Sequence, residues 1–164
     1  LVEEDEINFV VLKDGFPLSL RLIGEIHSVL MKGTRGGDKH PGEFRTSQNW
    51  VGGTRPGNAV YVPPPPHEVL PALGALEKFI HGEPFQTPTL IKTGLVHAQF
   101  ESIHPFLDGN KRAAAMTALA FLRVNAVETS PELSALENIT LRVASGDMSK
   151  DALIRWWGKQ LGIP

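Results

Sequence analysis

After Pro17, apolar residues recur at Leu18, Leu22, Ile26 and Val29, a spacing that lays them along one side of a helix. The glycines of "KGTRGG" (Gly33, Gly36 and Gly37) end that helix. A second stripe, Val69, Leu73, Leu76 and Ile80, predicts a helix over 67–82, with Pro71 confined to its first turn. Ile91, Leu95 and Ala98 predict a third helix over 88–103, and Ala115, Leu119 and Leu122 a fourth over 110–124. Ser130 followed by Pro131 reads as an N-cap with proline at the first helical position, opening a fifth helix that ends near Gly146. Leu153, Trp156 and Leu161 mark a sixth over 149–161. The pattern is that of a mainly α domain with about six helices.

The segments outside these stripes carry β signals. An acidic start, "EEDE", is followed by "INFVVL", a short predicted strand that ends at "KDG". Residues 38–66 read as irregular chain and a hairpin, because "FRTSQNWV" and "NAVYV" are β-prone runs joined by the turn-forming "GGTRPG". Pro63–Pro66 then form an extended connector of polyproline type. No internal repeat is present, and 164 residues suit one domain spanning 1–164.

Composition narrows the chemistry. Hydrophobic residues make up 41% and charged residues 21%, as in a globular protein, and a formal charge of -2 gives no reason to expect nucleic acid or an anionic membrane as partner. Without cysteine there are no disulfides and no thiolate metal sites. No apolar stretch is long enough to span a bilayer and no signal-peptide pattern opens the chain, so the cytoplasm is the expected compartment.

The polar chemistry is concentrated in "IHPFLDGNKRAAAM", residues 103–116. A loop feeding a helix at Asn110 presents unpaired backbone N–H groups and the positive end of the helix dipole, which together favour an anion. Gly109 permits a tight turn there, and Arg112 adds a guanidinium fork matched to phosphate oxygens. Asp108, just before the helix, suits a hard cation such as Mg²⁺ better than a phosphate. His104, ending the preceding helix, has a side chain suited to general-base work near neutrality. A plain helix–helix turn with Asn110 as its N-cap has no need of all five groups. The set is a parts list for phosphoryl-type transfer, where positioning and charge neutralisation dominate. The other histidines, His27, His40, His67, His81 and His97, lack paired spacing for a metal, and His97 reads as a packed or capping residue.

"HPFLDGNKR" resembles the signature of the Fic/Doc family, H-P-F-x-[D/E]-G-N-[G/K]-R, and the surroundings extend the likeness to nearly the whole chain. Residues 41–66 are similar to the segment ahead of the motif in bacterial Fic proteins, whereas the chain from His104 onwards is more similar to Doc. The resemblance implies a Fic-fold helical bundle with a β-hairpin flap over about 44–62 beside a catalytic loop at 104–112. It implies ATP, or another NTP, as co-substrate with Mg²⁺. It makes His104 the base that deprotonates a target Ser, Thr or Tyr hydroxyl, Phe106 a core anchor for the loop, and Asp108 the holder of Mg²⁺. Gly109, Asn110, Lys111 and Arg112 would surround the nucleotide phosphates. The target would dock as a strand on the flap, with contacts from Thr46, Ser47, Gln48, Asn49, Trp50 and Val51. Control by a separate antitoxin, or by an inhibitory segment outside this chain, is the further expectation.

Two positions depart from the adenylylating pattern, G-N-G-R-x-x-R. Lys111 stands where that pattern has glycine, and Ala115 where it has a second arginine. Losing a charge-assisted contact to the terminal phosphates costs on the order of 1.5–3 kcal/mol. The Doc-like branch is associated with a reversed nucleotide that offers its γ-phosphate, so Lys111 tilts the expectation toward phosphoryl transfer. Adenylyl transfer is the close alternative, and a catalytically silent binding module the third. "SALEN", Ser134 to Asn138, falls one residue short of the family's inhibitory-helix pattern and is read as chance.

Overall fold

The computed structural model describes residues 17–34, 36–82, 87–125, 139, 142 and 147–160. Among these, five α-helices succeed one another: α1 (Leu20–Met31), α2 (Pro66–His81), α3 (Thr89–Ile103), α4 (Asn110–Val124) and α5 (Lys150–Gln160). The predicted first strand and the "SALEN" string lie outside the described residues, and of the predicted fifth helix over 130–146 only 139 and 142 are described, both helical.

α1 starts where Ser19 accepts the Leu22 N–H at 3.3 Å; of the four predicted apolar positions Leu22, Ile26 and Val29 are buried on it, and Leu18 is buried just ahead of it. α2 buries Val69, Leu73, Leu76 and Ile80, as its stripe requires. It begins at Pro66, however, so Pro71 falls in the second turn and not the first. There Pro71 is exposed and leaves the carbonyl four residues earlier without its helical donor.

The molecule is organised around α4, in which every residue from Ala113 to Leu122 is buried. One side joins α1, α2, α3 and Phe106 in the main core; the other, with Ala115, Ala118 and Leu122, meets Ile139, Leu153 and Trp157. The run of alanines makes this possible, since small side chains let α4 be packed from both sides. α3 has its largest interface with α4 and also packs on α5 and α2. That explains why the predicted stripe holds only in part: Ala98 is buried, but Ile91 is exposed and Leu95 only half-buried, while Val96, Phe100 and Ile103 are buried together with the polar Thr93, His97 and Glu101. A helix flanked on three sides has no single apolar stripe to read. In α5, Leu153 is buried as predicted, but Trp157 is the fully buried tryptophan and Trp156 is half-buried against it.

The flap is shorter than the hairpin expected over 44–62. Among the described residues there is no strand, only one antiparallel bridge, Val51 to Tyr61, with Val51 N–H donating to Tyr61 O at 2.8 Å. Gly52 and Gly53 take left-handed φ of 70° and 67°, and a 3₁₀ turn at Pro56–Asn58 follows. Pro63–Pro66 then have no N–H to offer a ladder, so the pairing stops after one rung.

Candidate active site

The loop between α3 and α4 is built from its backbone outward. His104 ends α3 in the left-handed region, φ 50°, with its N–H donating to Phe100 O at 3.0 Å. Arg45 secures this turn: Nε donates to His104 O at 2.8 Å, and the Arg45 backbone N–H donates to Pro105 O at 2.8 Å. The same guanidinium, only 4% exposed, also donates to the carbonyls of Ser47, Pro64 and Ile103. One side chain therefore joins the flap, the proline connector and the end of α3.

Phe106 is fully buried and anchors the loop, its ring stacked on His27 with centroids 3.7 Å apart. Asn110 clamps the loop from the first turn of α4: Oδ1 accepts the Phe106 N–H and Nδ2 donates to Phe106 O, both at 2.7 Å. Its amide is thus occupied by backbone, and what it can offer a phosphate is its own N–H. Gly109 precedes α4 with φ 73° and supplies no capping side chain. The first helical bond runs from Ala113 N–H to Gly109 O, so the N–H groups of Asn110, Lys111 and Arg112 meet no acceptor among the described residues.

Charge around this helix start is arranged in two places. Asp108 Oδ1 accepts the Gly109 N–H at 2.7 Å, and Oδ2 accepts Lys39 Nζ at 3.0 Å. Burial alone would raise the Asp108 carboxyl, but these two donors and the charges of Lys39 and Arg112 outweigh it and hold it below the usual carboxylate range. Gly36 lies hard against this carboxylate; a Cβ there would sit 2.5 Å from Oδ2. Arg112 rests on the end of α1, with Nη1 donating to Leu30 O and Nη2 to Met31 Sδ, both at 3.3 Å.

The His104 ring is half-buried and Nδ1 is sealed off without a hydrogen-bond partner. Burial lowers its pKa to about 4, helped by the charges of Arg45 and Lys111. The Glu101 backbone and the Asp108 carboxylate pull the other way, although Glu101 does not meet Nδ1 in full hydrogen-bond geometry. Glu101 itself is 6% exposed, neither carboxylate oxygen has a partner, and burial raises its pKa to about 7 against the pull of Lys111.

The structure therefore gathers His104, Phe106, Asp108, Gly109, Asn110, Lys111 and Arg112 at one loop. The six flap positions divide: Thr46, Ser47 and Trp50 are exposed, and Val51 makes the bridge. Gln48 and Asn49 turn inward instead, Gln48 Nε2 donating to Pro63 O at 3.0 Å and Asn49 Nδ2 to Phe106 O at 3.0 Å. Sequence reading missed His27, Lys39, Arg45 and Glu101. For His27 the available signal is a polar residue within the apolar stripe of α1; for Lys39 and Arg45 there is none.

The donor set would fit Mg²⁺ carried in by a nucleotide once Lys39 leaves Asp108 Oδ2. Asp108 is one carboxylate kept ionised beside unclaimed N–H groups, and Mg²⁺ commonly takes one or two carboxylates with phosphate oxygens and water. Among the described residues no group of three or more His, Asp or Glu forms a protein-only cage. Met31, Thr34, Gly36 and Pro41 line an open cleft of about 590 Å³ that approaches Asp108 only through Gly36, and residues 104–112 are not part of its lining.

Residues 17–122 match the model of the Fic/DOC family. The chain belongs to that family. Among similar proteins, the protein adenylyltransferase Fic of Drosophila erecta is 28% identical over 117 residues, 71% of this chain and 20% of that protein. The Aedes aegypti protein of the same name is 27% identical over 110 residues, 66% of this chain and 19% of its own length. The Fic/DOC chain thus spans about a fifth of the length of these relatives. Its fold is shared with a Fic domain containing signaling protein of Bacteroides thetaiotaomicron (TM-score 0.72, 15% identity, 94% of this chain and 64% of that one). It is also shared with the BepC protein of Bartonella tribocorum with bound AMPPNP (TM-score 0.59, 16% identity, 92% and 84%). Among the described residues no helix is long and apolar enough to cross a membrane.

Proposed function

We propose that this Fic/DOC chain transfers AMP from ATP to a hydroxyl side chain of a protein target. The observation that carries the chemistry is the pairing of His104, neutral at working pH, with the uncapped start of α4 one loop away. With Nδ1 sealed in, Nε2 is the nitrogen left to meet a substrate. It takes the hydroxyl proton as the oxygen bonds to the α-phosphorus and pyrophosphate leaves. The N–H groups of Asn110, Lys111 and Arg112, with the Arg112 guanidinium swung from its rest on Leu30, would bind the phosphate oxygens. Mg²⁺ held by Asp108 would supply further neutralisation of phosphate charge. On the flap, the exposed edge around Thr46–Trp50 would receive the target as an added strand.

The choice of AMP rests on the relatives, which are named protein adenylyltransferases and match about two thirds of the chain. Phosphoryl transfer is the second reading, and Ala115 favours it. That residue is buried against Leu153 and Trp157, so no second arginine reaches the phosphates from there. A bacterial cytoplasmic setting and control by an antitoxin or inhibitory segment belong to the same proposal.

Incubation of the chain in lysate with α-labelled and, separately, γ-labelled ATP tests both readings. Label retained on a protein from α-labelled ATP alone supports adenylyl transfer, and from γ-labelled ATP alone phosphoryl transfer. Retention unaffected by His104→Ala, or none from either label, removes the transferase reading and leaves a binding module.

A further inference from the structure

We propose that His27, on α1 and remote in sequence from the catalytic loop, is a positioning residue for the nucleotide: it fixes the peptide unit that aims the Asp108 carboxylate and begins α4. The proposal rests on the transferase reading above and assigns one more residue to that site.

The imidazole has two hydrogen bonds, each to a backbone group whose role is beyond choice. Gly42 N–H donates to Nδ1 at 2.8 Å, so Nδ1 carries no proton. Nε2 therefore carries it and donates to Asp108 O at 2.9 Å. The tautomer is set by the backbone and not by solvent, since the ring is 1% exposed. Burial lowers its pKa, the charge of Arg112 adding to the effect, while the Asp108 carbonyl and carboxylate oppose it.

The Asp108–Gly109 peptide is then held at both ends. Its carbonyl accepts from His27, and its N–H donates to Asp108 Oδ1 at 2.7 Å. With the peptide plane and one carboxylate oxygen fixed, the direction of Oδ2 follows. Gly109 completes the arrangement: at φ 73° a Cβ would meet Met31 Sδ at 2.6 Å and His27 Nε2 at 3.1 Å. The ring also stacks on Phe106 with an interplanar angle of 3°, so it contacts the loop on both sides of Asp108. Gly42 reaches Nδ1 because Gly24 has no side chain; a Cβ there would lie 2.9 Å from Gly42 O.

The test separates the two ring nitrogens. Glutamine places its amide near the position of Nε2 and can donate to Asp108 O, asparagine reproduces only the Nδ1 position, and phenylalanine keeps the stack with neither bond. Binding of Mn²⁺·AMPPNP by calorimetry is expected to weaken about 10-fold in His27→Phe and His27→Asn, the scale of one lost hydrogen bond. In His27→Gln it stays within about 3-fold of wild type. Kinetically, KM for MgATP rises in the Phe and Asn variants while the acid limb set by His104 does not move. A general loss of folded protein would lower kcat and leave KM where it was. Equal binding by the Gln and Asn variants, or wild-type binding by the Phe variant, overturns the proposal. Should variants fail to fold, the ¹⁵N spectrum of wild-type His27 decides: a neutral ring protonated at Nε2 supports it, and protonation at Nδ1 overturns it. A wild-type chain that binds no Mn²⁺·AMPPNP overturns the transferase reading and this proposal together, distinguishable because the variants are then not needed to see the failure.

Discussion

At the scale of single residues, the working range of His104 is set by what surrounds its ring. A histidine with its ordinary pKa loses its free base below about 6.5. Buried, and facing Arg45 and Lys111, the His104 ring stays neutral down to about 4. The expected profile of kcat/KM therefore keeps its rate through pH 5 and falls only as pH drops through about 4. A limb near 6.5 would show that the ring is not the base or is not buried in the working enzyme. Lys111 acts on the same ring and on Glu101. Replacing Lys111 by glycine removes a cation that disfavours imidazolium, so the limb shifts upward while burial still holds it below 6.5. It also reopens backbone room at the start of α4, which favours presentation of the α-phosphate. Under the phosphoryl reading, intact-mass analysis of a modified target should show the product of Lys111→Gly moving from phosphate toward AMP. An unchanged product would mean that this side chain does not choose the phosphate.

At the scale of elements, Arg45 decides whether flap and catalytic loop behave as one unit. Arg45→Met would strip the carbonyls of His104, Ser47, Pro64 and Ile103 of their donor in a largely buried place. The expected cost is about 2–4 kcal/mol in urea unfolding, with faster amide exchange in residues 46–51 than in α2. Equal exchange in both segments would count against the linkage. α1, α2 and α4 could be read from the sequence because their buried positions include continuous apolar stripes. The extent of α3 was legible too, but its buried face was not, since it packs on three neighbours and buries Thr93, His97 and Glu101 among them. The flap was overread: β-prone residues run along both its sides, but Gly52, Gly53 and the prolines restrict pairing to one bridge. The catalytic loop was legible because its chemistry is contiguous. Its supports, His27, Lys39 and Arg45, come from separate segments, and only folding brings them to it.

At the scale of the molecule, α3 carries three titratable groups into the interior in its last two turns and cap, and they pull stability in opposite directions. His97 is fully buried with neither ring nitrogen bonded, and burial lowers its pKa to about 4; His104 is lowered to about 4 as well. Below 6.5 the unfolded chain takes up protons that these rings refuse, so both lose stability for the fold as pH falls from 6.5 toward 4. Glu101 does the reverse. Its carboxyl is raised from 4.5 to about 7, so the folded chain keeps a proton that the unfolded chain releases across that window. Its contribution is therefore fully present below 4.5, is lost as pH rises through 7, and stays lost above. Between 4.5 and 6.5 the glutamate offsets part of what the histidines do. Glu101→Gln removes its share alone. Relative to wild type, the variant should gain on the order of 1–3 kcal/mol between pH 4.5 and pH 8 in urea unfolding. Taking the change between two pH values cancels the fixed cost of burying an amide at that position. A wild-type-to-variant difference that is the same at both pH values would mean that Glu101 titrates normally in the fold. Its charge would then have to be balanced by Lys111, the one cation whose field reaches it among the described residues.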